Sequence, residues 1–276
     1  MKNTFCLLKG GEAYLSQHLG EMDTVEAETA YLESLNRYLG SFNLKVKVVA
    51  YDMHPQYHIS SLSKEIAAEQ YYGIYHHHAH FASCLAENGH NGRAIGVILG
   101  GTGYGTDGAI WGFEIFSGDC LHFTRELSQK YTPLPGGEAA VQWPWRMALS
   151  YLRQAMGEEG LSMGRELFER HFAQELPLVI RQLESGSQSP LTSSCGRRFD
   201  AVAAILGICY GNTYEGRAAV ELSEILRPGD ASLLPDPYPF RITEKQIDFY
   251  PIFPELKSDI KSGKDRTLQC GAFMTQ

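Results

Sequence analysis

Hydrophobic and polar positions alternate in short, strand-like runs along the first part of the chain and recur at helical spacing along the rest. Phe5–Leu8 and Ala13–Leu15, joined through Lys9-Gly10-Gly11-Glu12, predict a β-hairpin. Thr24–Leu39 places Val25, Tyr31, Leu32, Leu35 and Leu39 on one helical face. Val46–Tyr51 is a β-branched run that ends in Asp52, and His77–Asn88 predicts a helix that stops near Gly89. Ala94–Leu99 is a continuous apolar run, the pattern of a strand covered on both faces. Ala109–Phe116 and Cys120–Thr124 predict a second hairpin around Ser117-Gly118-Asp119. From Gly137 onward Ala139–Met156, Gly164–Glu184 and Phe199–Cys209 favour helix, with a Ser/Gly/Gln-rich linker at Glu184–Ser194 and a Pro- and Asp-rich loop at Arg227–Phe240. The expected architecture is α/β: a mixed-sheet first lobe (1–125) and a mostly helical second lobe (126–276), with the boundary near 118–136.

Composition narrows the classes. The 276 residues carry a formal net charge of −8, which argues against a nonspecific nucleic-acid binder. No apolar run approaches the ~20 residues of a bilayer span, and polar residues interrupt the N-terminal apolar patch too early for a signal peptide. Six cysteines without a CxxC pair read as reduced thiols. A cytoplasmic protein with neither nucleic-acid nor membrane partners is expected.

The 28 glycines cluster at 10–11, 100–108, 136–137 and 207–216, beside apolar runs. Gly100–Gly108 follows a predicted strand, so its backbone N–H groups can form a phosphate-holding nest or a plain turn; no Gly-Lys-Ser/Thr follows, which excludes a Walker A loop. In Tyr75-His76-His77-His78-Ala79-His80, His76 and His80 stand four apart and can converge on one metal ion, or the run is a histidine-rich helix start with buried, hydrogen-bonded rings. His77 and His78 point elsewhere, to contact substrate or to pack. Asp52 and His54 sit at the carboxyl end of a buried strand, suited to a cleft or to turn chemistry. Pro135–Glu138 reads as a substrate loop or a helix start. Ser193–Asp200 and Tyr214–Glu221 read as ribose-binding carboxylates beside small residues, or as helix caps.

Taken together and in order, nine stretches resemble the HypF carbamoyltransferases of [NiFe]-hydrogenase maturation, in the domain shared with the tRNA threonylcarbamoyltransferases. They are KNTFCL (Lys2–Leu7), LSQHLG (Leu15–Gly20), AYDMHPQY (Ala50–Tyr57), HHHAH (His76–His80), GTGYGTDGAIWGFE (Gly101–Glu114), PLPGGEAA (Pro133–Ala140), PWRMAL (Pro144–Leu149), SSCGRRFDAVAAILG (Ser193–Gly207) and YEGRAAVEL (Tyr214–Leu222). The resemblance implies an actin-like, sugar-kinase-like (ASKHA) fold and use of ATP through a carbamoyl-adenylate. It implies a divalent metal, Fe or Zn, on His76 and His80. It implies phosphate and nucleotide contacts at Gly101, Thr102, Gly103, Tyr104, Gly105, Gly137, Gly196, Asp200 and Glu221, with Asp52 and His54 as the catalytic candidates. The carbamoyl group is expected to pass to the C-terminal cysteine of the partner HypE, on the way to cyanide.

The chain departs from that pattern. Gly100 stands where the family has an aspartate that looks like a metal ligand. The expectation is a chain truncated at both ends, without the family's C-terminal SGG and NDGG segments and without the acylphosphatase-like, zinc-finger and YrdC-like domains that should precede residue 1. A fragment with an uncovered sheet edge and poor solubility is the expectation. A stand-alone O-carbamoyltransferase for a small-molecule hydroxyl, and an inactive remnant that binds nucleotide or HypE, are the alternatives.

Overall fold

A computed structural model describes residues 3–20, 22, 24–55, 57–226 and 235–275. Lys2 and Gln56 of the quoted motifs, and residues 227–234 of the expected loop, lie outside the described residues. The chain divides into two units, one ending at His76 and the other beginning at His77.

In the first unit, β1 (Cys6–Lys9) and β2 (Glu12–Leu15) pair antiparallel as the expected hairpin, with Lys9 opposite Glu12. Gly10 and Gly11 both have positive φ (60° and 86°), the backbone of the two-residue turn that matches strand twist. Helix α1 (Val25–Ser41) starts at Thr24, whose hydroxyl accepts a hydrogen bond from the Ala27 amide (3.2 Å). β3 (Val48–Asp52) begins two residues later than expected, is followed by α2 (His58–Leu62), and pairs in parallel with β4 (Gln70–Ile74), which the sequence pattern did not show. Phe5, Tyr31, Leu35 and Leu62 form its core. Helix α3 (His76–Glu87) opens on the last residue of this unit and continues into the second.

The second unit is built on a seven-stranded sheet. β5 (Ala94–Tyr104), β6 (Ile110–Gly118) and β7 (Phe123–Gln129) run antiparallel in sequence order. β8 (Thr132–Pro133) follows directly; α4 (Glu138–Gln142), α5 (Pro144–Met156), α6 (Glu158–Phe172) and α7 (Leu176–Ser185) come next. β9 (Leu191–Thr192) lies within the expected linker and places Thr192 beside Ile110 of β6. Then come α8 (Cys195–Ile205), α9 (Arg217–Glu224), β10 (Arg241–Thr243), β11 (Gln246–Asp248), α10 (Ile252–Lys261) and α11 (Arg266–Met274). The expected helix 139–156 is two helices because Pro144, lacking an amide hydrogen, starts α5 afresh at its first turn. The expected helix 164–184 is likewise divided, between α6 and α7. The expected lobe boundary at 118–136 falls inside this unit, where β7 remains laddered to β6 from Gly118↔Phe123 to Glu114↔Ser128.

Helix α5 is buried on nearly every face: Trp145, Met147, Ala148, Leu149, Tyr151 and Leu152 all have at most 1% exposure. It packs between α6, α8 and α10, and that apolar mass is the main core. α8 is almost as enclosed, and it carries a cation inward. Arg198 lies over the Phe249 ring (3.5 Å to its centroid), with Phe113 and Phe273 each 5.8 Å away. Its Nη2 reaches the Cys195 Sγ at 3.7 Å, while Nε and Nη1 have no hydrogen-bond partner among the described residues. Burial pulls this guanidinium below its ordinary pKa.

The Ala94–Leu99 strand is not covered on both faces. β5 pairs with β6 alone among the described residues, and Ile95, Val97 and Leu99 are exposed. A long apolar edge strand without charge is a template for self-pairing. Val97→Lys is expected to lower self-association of the purified chain in light scattering without lowering its melting temperature. Arg198→Met is expected to stabilise the protein by about 1–4 kcal/mol, because an apolar side chain of similar length removes a buried, incompletely paired charge. Thermal denaturation checks this, and an unchanged or lower midpoint goes against it.

Candidate functional site

The glycine at position 112 lets three backbone segments of the second unit meet. Between Leu99↔Phe113 and Gly103↔Trp111 the register of β5 slips, so Gly100, Gly101 and Thr102 bulge opposite the single residue Gly112 of β6. A Cβ on Gly112 would lie 2.6 Å from the Ser194 Cα and 2.7 Å from the Gly100 oxygen. Ser194 is the N-cap of α8: its Oγ donates to the Gly100 carbonyl (3.3 Å) and accepts from the Arg197 amide (3.3 Å). Gly196, in the first turn, stands against Gly101, with its would-be Cβ 3.7 Å from the Gly101 Cα. The bulged glycine strand therefore lies against the positive end of an eleven-residue helix, an arrangement suited to an anion.

Where the glycine spacing predicts a loop at 100–108, the structure continues β5 through Tyr104 and turns only at 105–109. Of the expected phosphate residues, Gly101, Thr102, Gly103 and Tyr104 belong to that strand, and the Gly105 amide is bound to the Ala109 carbonyl (2.9 Å). Gly105 is held without a side chain by Trp111, whose Nε1 would lie 2.1 Å from a Cβ.

Beneath the strand lies a polar network that the sequence reading missed. Glu114 is fully buried. It accepts from Arg125 Nη2 (3.0 Å), the Gly112 amide (3.3 Å) and Ser193 Oγ, and its Oε2 lies 3.1 Å from His77 Nδ1. His77, 2% exposed, fills the space under the glycines: a Cβ at Gly100 or Gly103 would stand 3.3 or 3.0 Å from its ring. Arg125 also bonds the Tyr131 hydroxyl (2.8 Å), pairs with Asp107 (3.3 Å) and stacks on Trp111 (4.0 Å). Trp111 donates to Asp107 (2.8 Å), and Tyr131 bonds Asp107 as well. The legible signal was Glu114 itself, a carboxylate inside an apolar strand run.

Asp200 lies on α8 and Glu221 on α9, and both are engaged. Asp200 is 2% exposed, 2.7 Å from Arg197 Nε and 3.2 Å from Asn212 Nδ2; burial pushes its carboxyl up. Glu221 pairs with Arg217 (2.7 Å). Asn212, also missed, binds the Val141 carbonyl (2.9 Å) and caps the Ala218 amide (3.1 Å), fastening α4 and α9 to Asp200. Gly137 is the N-cap residue of α4 at φ 59°, its amide bound to the Leu134 carbonyl (2.9 Å).

In the first unit, Asp52 Oδ2 lies 3.0 Å from His76 Nδ1, and Asp52 Oδ1 accepts from the His54 amide (2.8 Å). Burial pushes Asp52 up, but the hydrogen bonds from His76 and the His54 amide outweigh it and hold the carboxyl below its ordinary range. His54 stacks on Tyr57 (4.0 Å), and burial holds its pKa below the ordinary histidine value despite the nearby Asp52 charge. His54 is thus a neutral imidazole at neutral pH, fit to accept a proton.

His76 and His80 are one turn apart on α3. A bound iron or zinc takes three or more protein donors, and among the described residues no group of three His, Cys, Asp or Glu is arranged to hold a metal. At position 100, where the expected carboxylate is absent, the neighbouring space is taken by His77. The donors present therefore fall short of a metal site. Among the described residues no helix is long and apolar enough to cross a membrane.

Residues 1–87 match the family model described as the HypF Kae1-like domain, and residues 96–276 that described as the carbamoyltransferase, Kae1-like domain, second subdomain. The chain is 39% identical over 244 residues to carbamoyltransferase HypF of Rhodobacter capsulatus, covering 86% of this chain and 32% of that protein. It is 33% identical to the probable carbamoyltransferase HypF of Methanocaldococcus jannaschii, covering 85% and 31%. A crystal structure of full-length HypF in the phosphate- and nucleotide-bound form superposes with a TM-score of 0.87 at 34% identity, covering 99% of this chain and 35% of that one. The fold is thus the α/β, actin-like class expected, and the chain spans about a third of the length of these relatives. Gly112→Ala is expected to cost about 1–3 kcal/mol in urea denaturation by forcing β6 away from α8; an unchanged midpoint would show that the three backbones are not in contact.

Proposed function

We propose a function from the family to which this chain belongs, the HypF carbamoyltransferases: it carries the site that transfers a carbamoyl group from carbamoyl-adenylate to the C-terminal cysteine of HypE. The observation that carries this reading is the bulged glycine strand against the first turn of α8. Backbone N–H groups fixed in that way stabilise a phosphate that gains charge as it leaves. The HypF relative solved with phosphate and nucleotide supports the same ligand class. In the proposed step the cysteine sulfur attacks the carbamoyl carbon, the bond from that carbon to the adenylate oxygen breaks, and AMP departs. The thiol proton leaves to base; His54 and Asp52 are the proposed catalytic residues of the first unit, where Asp52 accepts from the His54 amide and pairs with His76. Gly101–Gly105, Gly137 and Gly196 are proposed to face the phosphates. Asp200 and Glu221 contact the ribose only if they give up the partners described above. Iron or zinc on His76 and His80 remains part of the family expectation.

One observation favours a second reading, a module that binds nucleotide or HypE without turnover: position 100 lacks a carboxylate and no three-donor group forms among the described residues. Mass spectrometry of HypE after incubation with the chain and carbamoyl-adenylate, with and without Fe(II) or Zn(II), separates the two. A gain of one carbamoyl group that disappears in His54→Ala is expected. No gain under any condition, with nucleotide still bound, would establish the second reading, and transfer to a small-molecule hydroxyl instead would point to an O-carbamoyltransferase.

A further inference from the structure

We propose that Glu114 is a positioning residue that couples the glycine strand to the first turn of α8, so that the two anion-facing elements move as one. The inference rests on the reading that those elements hold the nucleotide phosphates. A carboxylate without water is strongly unfavourable unless it is paired and hydrogen-bonded, and Glu114 of β6 is met from its own strand and from three other segments. His77 comes from α3, the Gly112 amide from β6, Arg125 from β7, and Ser193 from the residue just before the α8 N-cap.

The two oxygens divide the work. Oε2 faces His77, whose ring supports Gly100 and Gly103 from beneath. Oε1 receives Ser193, the Gly112 amide and Arg125, which fixes the chain where it enters α8. Ser194, the next residue, then reaches the Gly100 carbonyl and closes the circuit. Arg125 cannot swing away, because Trp111, Asp107 and Tyr131 hold it on three sides. A shift of α8 is thereby transmitted through one buried carboxylate to the glycine bulge, and the reverse also holds. Side chains here are too well packed to yield gradually.

The test is amide hydrogen exchange with ligand titration, on Glu114→Gln and Ser193→Ala. Glu114→Gln keeps the volume and one acceptor but removes the charge; Ser193→Ala removes a single hydroxyl on the α8 side. Both variants are expected to speed exchange at 100–103 and 196–198 together, with the α5 amides unchanged. Affinity for a non-hydrolysable ATP analogue is expected to fall about tenfold in Glu114→Gln, the size of one lost charge-assisted hydrogen bond, while adenosine affinity holds. The proposal is overturned if Ser193→Ala loosens α8 alone, if α5 exchange rises in step, or if adenosine and the analogue weaken equally. Should Glu114→Gln not fold, Ser193→Ala decides by itself. If the parent chain binds no nucleotide the proposed function fails, and the exchange measurements still judge the coupling.

Discussion

A strand and a helix start approach this closely only where one of them lacks a side chain, and the second unit is organised around one such contact. A Cβ on Gly112 of β6 would lie under 3 Å from both the Gly100 carbonyl of the β5 bulge and Ser194 at the start of α8. That closeness brings the N-terminal amides of a helix alongside a strand already freed from its ladder at the bulge. Everything proposed about anion binding follows from this approach, and so does the position of Glu114 beneath it.

The unit handles buried charge in two opposite ways. Glu114 gathers a cation, a hydroxyl, an amide and an imidazole, and its enclosure becomes a fixed joint between elements. Arg198, three residues beyond the N-terminus of the same helix, is enclosed by aromatic rings and a thiol and meets no carboxylate among the described residues. Cation–π contact offsets part of that desolvation. The first arrangement gives geometry its precision, and the second holds a charge inside the core at a cost to stability.

Position 100 links the family pattern to this chain's own structure. Where the family expectation puts an aspartate, the chain has glycine, and the ring of His77 stands 3.3 Å from where its Cβ would be. Of the five residues His76–His80, the one the structure commits most firmly is therefore His77, buried and paired with Glu114, whereas His80 is exposed. The histidine-rich helix start with a buried ring, one of the two readings left open by spacing, describes His77.

Local pattern determined much of this protein. The Lys9–Glu12 turn, helix α1 and β6 were legible because each depends on neighbours within a few residues: glycines in a tight turn, apolar residues at helical spacing, apolar runs along a strand. The family was legible as well, since nine ordered motifs outweigh chance in a way no single one does. The tertiary structure alone decided the rest. It set the pairing of β3 with β4, the insertion of β9 beside β6, the burial of Asp200 against Arg197 and Asn212, and the meeting of His77, Glu114, Arg125 and Ser193. Those partners stand up to 116 residues apart in the chain (77 to 193). No periodicity reports which distant side chain will neutralise a charge once water is excluded, because that choice is made by packing, after the elements exist.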